Sequence, residues 1–317
     1  MPAARALLRS LVDRQLTAVN AGDASALAAL LRNASAWRVP SWIGEGSASS
    51  ASASSSGGAS RSATLHESLQ AWAGQLHEAR LLPTQVLLDE AQSAAAVEWV
   101  LRYSLADDGP VAGSAGVKQI LGGTTIELDA AGDVAAWRSY GDGARAHQPV
   151  SQLDFGDLDP SLSPWRPLAG SAPYMYTPAA LAARREGVTA LLRREAALWA
   201  LTDAPITTTR PLFERVFAED AKLINPWTVE LSRESRWEGF LSFCSEYTDC
   251  EVDIGRVVLD PERPTLFAVE RTFACTNRET GVRGVDEDWA LGEVTADVEE
   301  AVPVSSLKND DFPLTII

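Results

Sequence analysis

The sequence predicts an α+β fold made of two tandem domains, and three observations support this prediction. The chain has 317 residues, more than a single hydrophobic core usually accommodates. In each half, segments with helical periodicity come first and segments with strand-like alternation follow. Short motifs of the first half also recur, in the same order, in the second half. With 46% hydrophobic and 22% charged residues, the composition is that of a globular protein.

The internal repeat is weak in identity but ordered along the chain. The matching motifs are ALLR at 6–9 and 190–193, a Pro-Trp motif at 39–42 and 225–227, and AVE at 96–98 and 268–270. Any one match could arise by chance, whereas their common order indicates two units of one design.

Helices open each predicted unit. Leu7, Leu8, Leu11, Leu16 and Val19 fall on one helical face, which predicts an amphipathic first helix. Asp23 and either Thr208 or Thr209 are predicted N-caps of the second helices. The predicted helices are 3–20, 23–32 and 64–79 in the first unit and 187–202, 208–218 and 235–246 in the second.

Alternating segments after the helices predict an antiparallel sheet in each unit. Along the longest strand of the first unit, Trp99 and Tyr103 share the face predicted to meet the helices, and Glu98 faces away. The predicted strands are 84–90, 95–106, 117–128 and 133–140, then 250–259, 266–276, 282–293 and 298–307.

Two segments interrupt this plan and set the predicted domain limits. The first domain is predicted over 1–143, with a disordered Ser-, Ala- and Gly-rich loop at 47–63. A Pro-rich connector is predicted over 144–186, and its aromatic residues indicate that it packs on a domain. The second domain is predicted over 187–317.

Charge and composition exclude several classes of function. The formal net charge is −16, with 27 basic and 43 acidic residues, so a general nucleic-acid footprint is not expected. Residues 187–317 carry 13 basic and 25 acidic side chains, a net charge of −12, which would suit a basic protein partner or simply a solvated face. No apolar segment is long enough for a transmembrane helix, so no membrane association is expected.

Cysteine and histidine are scarce, with three of each. Neither a disulfide framework nor a metal site is therefore predicted, and the common nucleotide-binding motifs are missing, so no cofactor is expected. The cysteine usage indicates a reducing compartment, and we expect a cytoplasmic protein. The Arg- and Ala-rich start leaves organelle targeting as an alternative.

Two groups of motifs resemble the SnoaL-like, nuclear-transport-factor-2-like superfamily. They are FAEDAKLINPW at 217–227 with WEGF at 237–240, and the segments 30–44 and 133–142 of the first unit. The resemblance implies cone-shaped (cystatin-like) domains, each a curved antiparallel sheet wrapped around three helices and enclosing a pocket. Such domains pair sheet to sheet, so a tandem chain would form a monomer with an internal pseudo-dimer.

Where the family is catalytic, an Asp commonly precedes the motif proline, but Val39 and Asn225 stand at the two matching positions. Neither side chain takes up a proton at neutral pH, so the usual acid–base group is missing and no catalytic residue is assigned. The sequence therefore predicts a non-catalytic small-molecule-binding or protein-interaction module with largely apolar pockets. The alternative is a cofactor-independent isomerase, dehydratase or hydrolase acting on a hydrophobic polyketide-like or polycyclic substrate.

Eight residues are candidates for lining the two pockets: Trp42, His66, Trp99, Tyr103, Trp199, Asn225, Trp227 and Arg271. Each has a simpler interpretation. Trp42 and Trp227 are more often core residues than a lid on a flat ligand, and His66 is more often exposed. Arg271 lies among apolar strand neighbours and needs an anionic partner, either a substrate carboxylate or, as we favour, an internal Glu or Asp.

Glu98 and Glu270 match between the units and lie on the sheet face away from the helices. They mark either a polar pseudo-dimer interface or an exposed edge.

Overall fold

A computed structural model describes residues 2–38, 76–105, 118–141, 177–219, 222–224, 230–293 and 315–316. The described elements belong to two compact units, one N-terminal and one C-terminal. Both units combine helices with largely antiparallel sheets, which confirms the α+β class. Among the described helices, none is long and apolar enough to cross a membrane.

The first unit contains two described helices and a five-stranded sheet. Its elements are α1 (Pro2–Asn20), α2 (Ala24–Leu30), β1 (Ala36–Arg38), β2 (Leu76–Asp89), β3 (Ala94–Leu105), β4 (Lys118–Leu128) and β5 (Val134–Gly141). The strand order is β1-β5-β4-β3-β2, with β1 parallel to β5 and the other pairs antiparallel.

The end of the helix predicted over 64–79 is wrong. Residues 76–79 begin β2, because β3 extends to Leu105 and pairs there with Leu76. The remainder of that predicted helix, and the predicted loop 47–63, lie outside the described residues.

The core of the first unit joins α1 and α2 to one face of the sheet. Leu8, Leu11 and Val19 are buried as the helical spacing predicts, but Leu7 is 39% exposed. At the start of α2, Asp23 accepts a hydrogen bond from the amide of Ala26 at 2.8 Å, which confirms the predicted N-cap.

The second unit contains three described helices and a sheet of order β11-β10-β9-β8. Its elements are α3 (Pro178–Trp199), α4 (Ile206–Val216), β6 (Lys222–Ile224), β7 (Glu230–Ser232), α5 (Arg233–Glu246), β8 (Tyr247–Asp260), β9 (Arg263–Asn277), β10 (Arg283–Glu293) and β11 (Thr315–Ile316). The predicted fourth strand at 298–307 lies outside the described residues.

The starts of α3 and α4 differ from the predictions. Helix α3 begins at Pro178 instead of 187, because Thr177 caps it by accepting from the Ala180 amide at 3.2 Å and proline favours the first helical turn. Residues 178–186, predicted as connector, are therefore helical. Helix α4 begins at Ile206 after Pro205, so the predicted threonine N-cap is wrong and Thr209 lies inside the helix.

Candidate functional site

The structure describes three of the eight candidate side chains: Trp99, Trp199 and Arg271. Trp99 belongs to the first unit, whereas Trp199 and Arg271 lie together in the second. Tyr103 is part of β3, but its side chain is not among those that the structure describes. The residues Trp42, His66, Asn225 and Trp227 lie outside the described ranges.

Arg271 forms an internal ion pair, which confirms the interpretation that we favour from the sequence. Its Nη1 donates to Oε1 and Oε2 of Glu195 on α3, both at 3.0 Å, and its Nη2 donates to Asp288 on β10. The side chains of Arg271 and Glu195 are 6% and 1% exposed, against 42% for Asp288. Asp288 reaches Arg271 because the two residues are directly opposed in the β9–β10 ladder.

The charge of Arg271 is stabilised inside the protein. Burial alone lowers the pKa of this guanidinium, but the carboxylates of Asp288 and Glu195 outweigh that effect and raise the pKa above its ordinary value. Arg271 is therefore a permanently charged side chain whose charge is balanced by its own fold.

Two further side chains surround Glu195. The indole nitrogen of Trp199 donates to Oε1 of Glu195 at 3.3 Å. Arg236 on α5 places its guanidinium carbon 4.9 Å from the centre of the Trp199 ring, and its Nη2 lies 3.9 Å from the same Oε1. We refer to Glu195, Trp199, Arg236, Arg271 and Asp288 as the arginine–carboxylate cluster.

Sequence reasoning missed three members of this cluster, but a signal was present for Glu195. The buried positions of α3 recur at helical spacing and include Val188, Leu191 and Glu195. A carboxylate on an otherwise apolar helical stripe needs a buried cation as partner, and Arg271 was the evident one.

Aromatic rings pack beside the cluster on the side of the sheet that faces the helices. Trp199 meets the edges of Phe240 and Phe243 at centroid distances of 5.2 and 5.1 Å. Phe213 continues this packing with Phe217 at 4.7 Å and Trp237 at 5.0 Å. Phe213, Phe240 and Phe267 are at most 1% exposed, so these rings belong to the buried core of the second unit.

In the first unit Trp99 is also a packed core residue. It is fully buried, and its indole nitrogen donates to Thr124 Oγ1 at 2.9 Å, while Ser139 lies 2.8 Å from that hydroxyl. The ring lies against Gly122, where an added Cβ would come within 2.1 Å of it. Glycine at this position therefore makes room for the indole.

Glu98 and Glu270 each lie on the face of their sheet that points away from the helices. Burial raises the pKa of Glu98 to about 7, although a hydrogen bond from the Thr84 hydroxyl opposes that rise. Glu270 is only 8% exposed, so the exposed-edge interpretation is wrong for this residue. Within the described ranges no group of His, Cys, Asp and Glu side chains is arranged to hold a metal ion.

Comparison with known proteins finds similarity among solved structures. A protein described as a polyketide cyclase from Xanthomonas campestris pv. campestris is 18% identical over 44% of this chain and 93% of its own, with a TM-score of 0.32. A Δ5-3-ketosteroid isomerase from Mycobacterium sp. is 17% identical over 43% of this chain and 93% of its own, with a TM-score of 0.30. An epoxide hydrolase of the LEH-like type from Mycobacterium tuberculosis is 19% identical over 43% and 82%, with a TM-score of 0.28.

Each match spans a little under half of the chain. No protein-family model and no curated protein matches the sequence.

Proposed function

We propose that the chain is a non-catalytic binding module for a small molecule or a protein partner. The observation that carries this proposal is the internal neutralisation of Arg271. The buried guanidinium is held by Glu195 and Asp288 and has no charge left to orient a substrate anion.

The surroundings of Arg271 support the same function. Acid–base catalysis needs a group that changes protonation near the working pH and faces the substrate. Both oxygens of Glu195 already accept hydrogen bonds from Arg271, and Oε1 also accepts one from Trp199. The packed rings beside these groups contribute no titratable atom.

The proposed module is an intramolecular pseudo-dimer. On the face away from the helices, the sheet of the first unit carries Ala96 and Val100, and that of the second carries Ala268 and Leu291. A sheet that is apolar on both faces needs a cover on both. Sheet-to-sheet pairing of the units would supply it, and a chain of 33.9 kDa should then sediment as a monomer.

The acidic C-terminal half determines which charge a protein partner should carry. Its net charge of −12 favours a basic partner, whose association would weaken as salt is raised.

Cofactor-independent isomerisation, dehydration or hydrolysis is the second candidate function, and Asp288 is the observation that favours it. At 42% exposed, Asp288 is the carboxylate of the cluster that solvent reaches most readily, and Arg271 fixes its position. An enzyme of this kind would use Asp288 to orient water or to move a proton.

Turnover assays separate the two functions. A Δ5-3-ketosteroid and an epoxide, the substrate types that the names of two structural matches suggest, are incubated with the wild type and with Asp288→Asn. We expect both proteins to leave both compounds at the background rate. Wild-type turnover that Asp288→Asn abolishes would establish the enzyme instead.

A further inference from the structure

Arg236 has a buried hydrogen-bond donor without a partner. A guanidinium carries five N–H donors, and a buried one is normally hydrogen-bonded. The Nε of Arg236 is buried without a partner, and its nearest carboxylate oxygen, on Glu195, lies 3.9 Å from Nη2. Its other contacts are with the ring faces of Trp199 at 4.9 Å and Phe217 at 5.9 Å.

Glu195 is already committed to other donors. Arg271 donates to both of its oxygens and Trp199 to one of them, so Arg236 remains beyond hydrogen-bond distance. The Nε of Arg271 is also buried without a partner. The cluster therefore holds two guanidinium groups, each with a buried Nε–H donor that has no partner.

Arg236 can be reached from solvent, because 22% of its side chain is exposed. Since Nε is buried, that exposure belongs to the rest of the side chain. Burial lowers the pKa of Arg236, while Glu195 opposes this effect, so an added anion would further stabilise the charged form.

We infer that Arg236 binds the carboxylate of a small monoanionic acid, which reaches it through the exposed part of its side chain. Planar guanidinium and carboxylate groups pair through two parallel hydrogen bonds. The two arginines of the cluster balance Glu195 and Asp288, so a bound monoanion leaves one net negative charge. A phosphate dianion would leave two beside those carboxylates, which disfavours phosphate ligands.

This inference names the ligand class of the proposed binding module, and so it rests on that function. Isothermal titration calorimetry with phenylacetate tests it, with phenylacetamide as the neutral isostere and phenyl phosphate as the dianion. We expect saturable binding of phenylacetate and weaker or undetectable binding of the other two. Absence of phenylacetate binding, or equal binding of phenyl phosphate, overturns the inference.

A matched pair of variants locates the site. Arg236→Gln removes the charge and should weaken phenylacetate binding by about tenfold or more. Arg210→Gln is the control, because Arg210 also lies over a tryptophan, Trp237 at 5.1 Å, but its donors are satisfied by Glu214 and Glu234. This control should bind as the wild type does. Unchanged affinity in Arg236→Gln refutes the assignment.

A measurement on the wild type keeps the test decisive if Arg236→Gln does not fold. The ¹⁵N resonance of the Arg236 Nε–H should shift on addition of phenylacetate and stay in place with phenylacetamide. A resonance that phenylacetate leaves unmoved overturns the inference. The result of the turnover assays does not depend on these binding measurements. Carboxylate binding by Arg236 can therefore be refuted while the non-catalytic function stands, and the reverse also holds.

Discussion

Loss of the Glu195 carboxylate should destabilise the second unit strongly. In Glu195→Gln, Arg271 faces a neutral amide through Nη1 while its Nε remains without a partner. Removing one member of a buried ion pair costs about 3–5 kcal/mol. Asp288 still holds Nη2 and is partly exposed, so we expect a cost at the lower end, about 3 kcal/mol.

Amide hydrogen exchange measured by mass spectrometry on peptides of α3 and β9 reports this cost. A loss of about 3 kcal/mol accelerates exchange through unfolding of the unit by roughly a hundredfold. The control is Glu251→Gln, the same chemical change in a pair with Arg283 in which Glu251 is 78% exposed, and it should change exchange by less than about tenfold.

Replacement of both buried partners, Glu195→Leu with Arg271→Leu, should restore most of the protection, since it removes the two most buried charges together. The charges that remain, on Asp288 and Arg236, are on side chains that are 42% and 22% exposed. If Glu195→Gln accelerates exchange no more than Glu251→Gln does, the ion pair is not structural and the reasoning is refuted.

Three further predictions concern other parts of the molecule. Gly122→Ala should destabilise the first unit by about 1–3 kcal/mol in urea unfolding, because its methyl group overlaps the Trp99 ring; a neutral effect would contradict the packing. The folded-state pKa of Glu98, about 7, lies above its ordinary 4.5, so Glu98 contributes stability below pH 4.5 that is lost as pH rises through 7, by up to about 3 kcal/mol. Glu98→Gln should remove that part of the pH dependence of the free energy of unfolding. If the variant has the same pH profile as the wild type, the raised pKa of Glu98 is excluded. Iodoacetamide should label half-buried Cys244 before Cys250, which is 3% exposed, and the reverse order in peptide mapping would contradict the burial.

The sequence is most informative where local periodicity decides the structure. The spacing of Leu8 and Leu11 predicts the buried face of α1, and alternation places Trp99 on the helix-facing side of β3. Both patterns depend on neighbours along one element. The exposure of Leu7 shows the limit, because the edge of a helical stripe is set by what packs against it.

The partners of Arg271 illustrate what local patterns leave open. Its need for a carboxylate follows from its apolar neighbours, but more than one acidic residue could satisfy that need. The choice of Glu195, 76 positions away, depends on how α3 crosses the sheet. The unused donors of Arg236 follow from that choice and have no sequence signature of their own.

A crystal structure determined under xenon pressure would test the central claim most directly. Xenon enters apolar cavities that are open to a ligand and is excluded from packed side chains. We predict no xenon among Trp199, Phe213 and Phe240, with Arg271 hydrogen-bonded to both oxygens of Glu195. Xenon bound among those rings, with Arg271 turned away from Glu195, would contradict the internal neutralisation of Arg271 on which the proposed function rests.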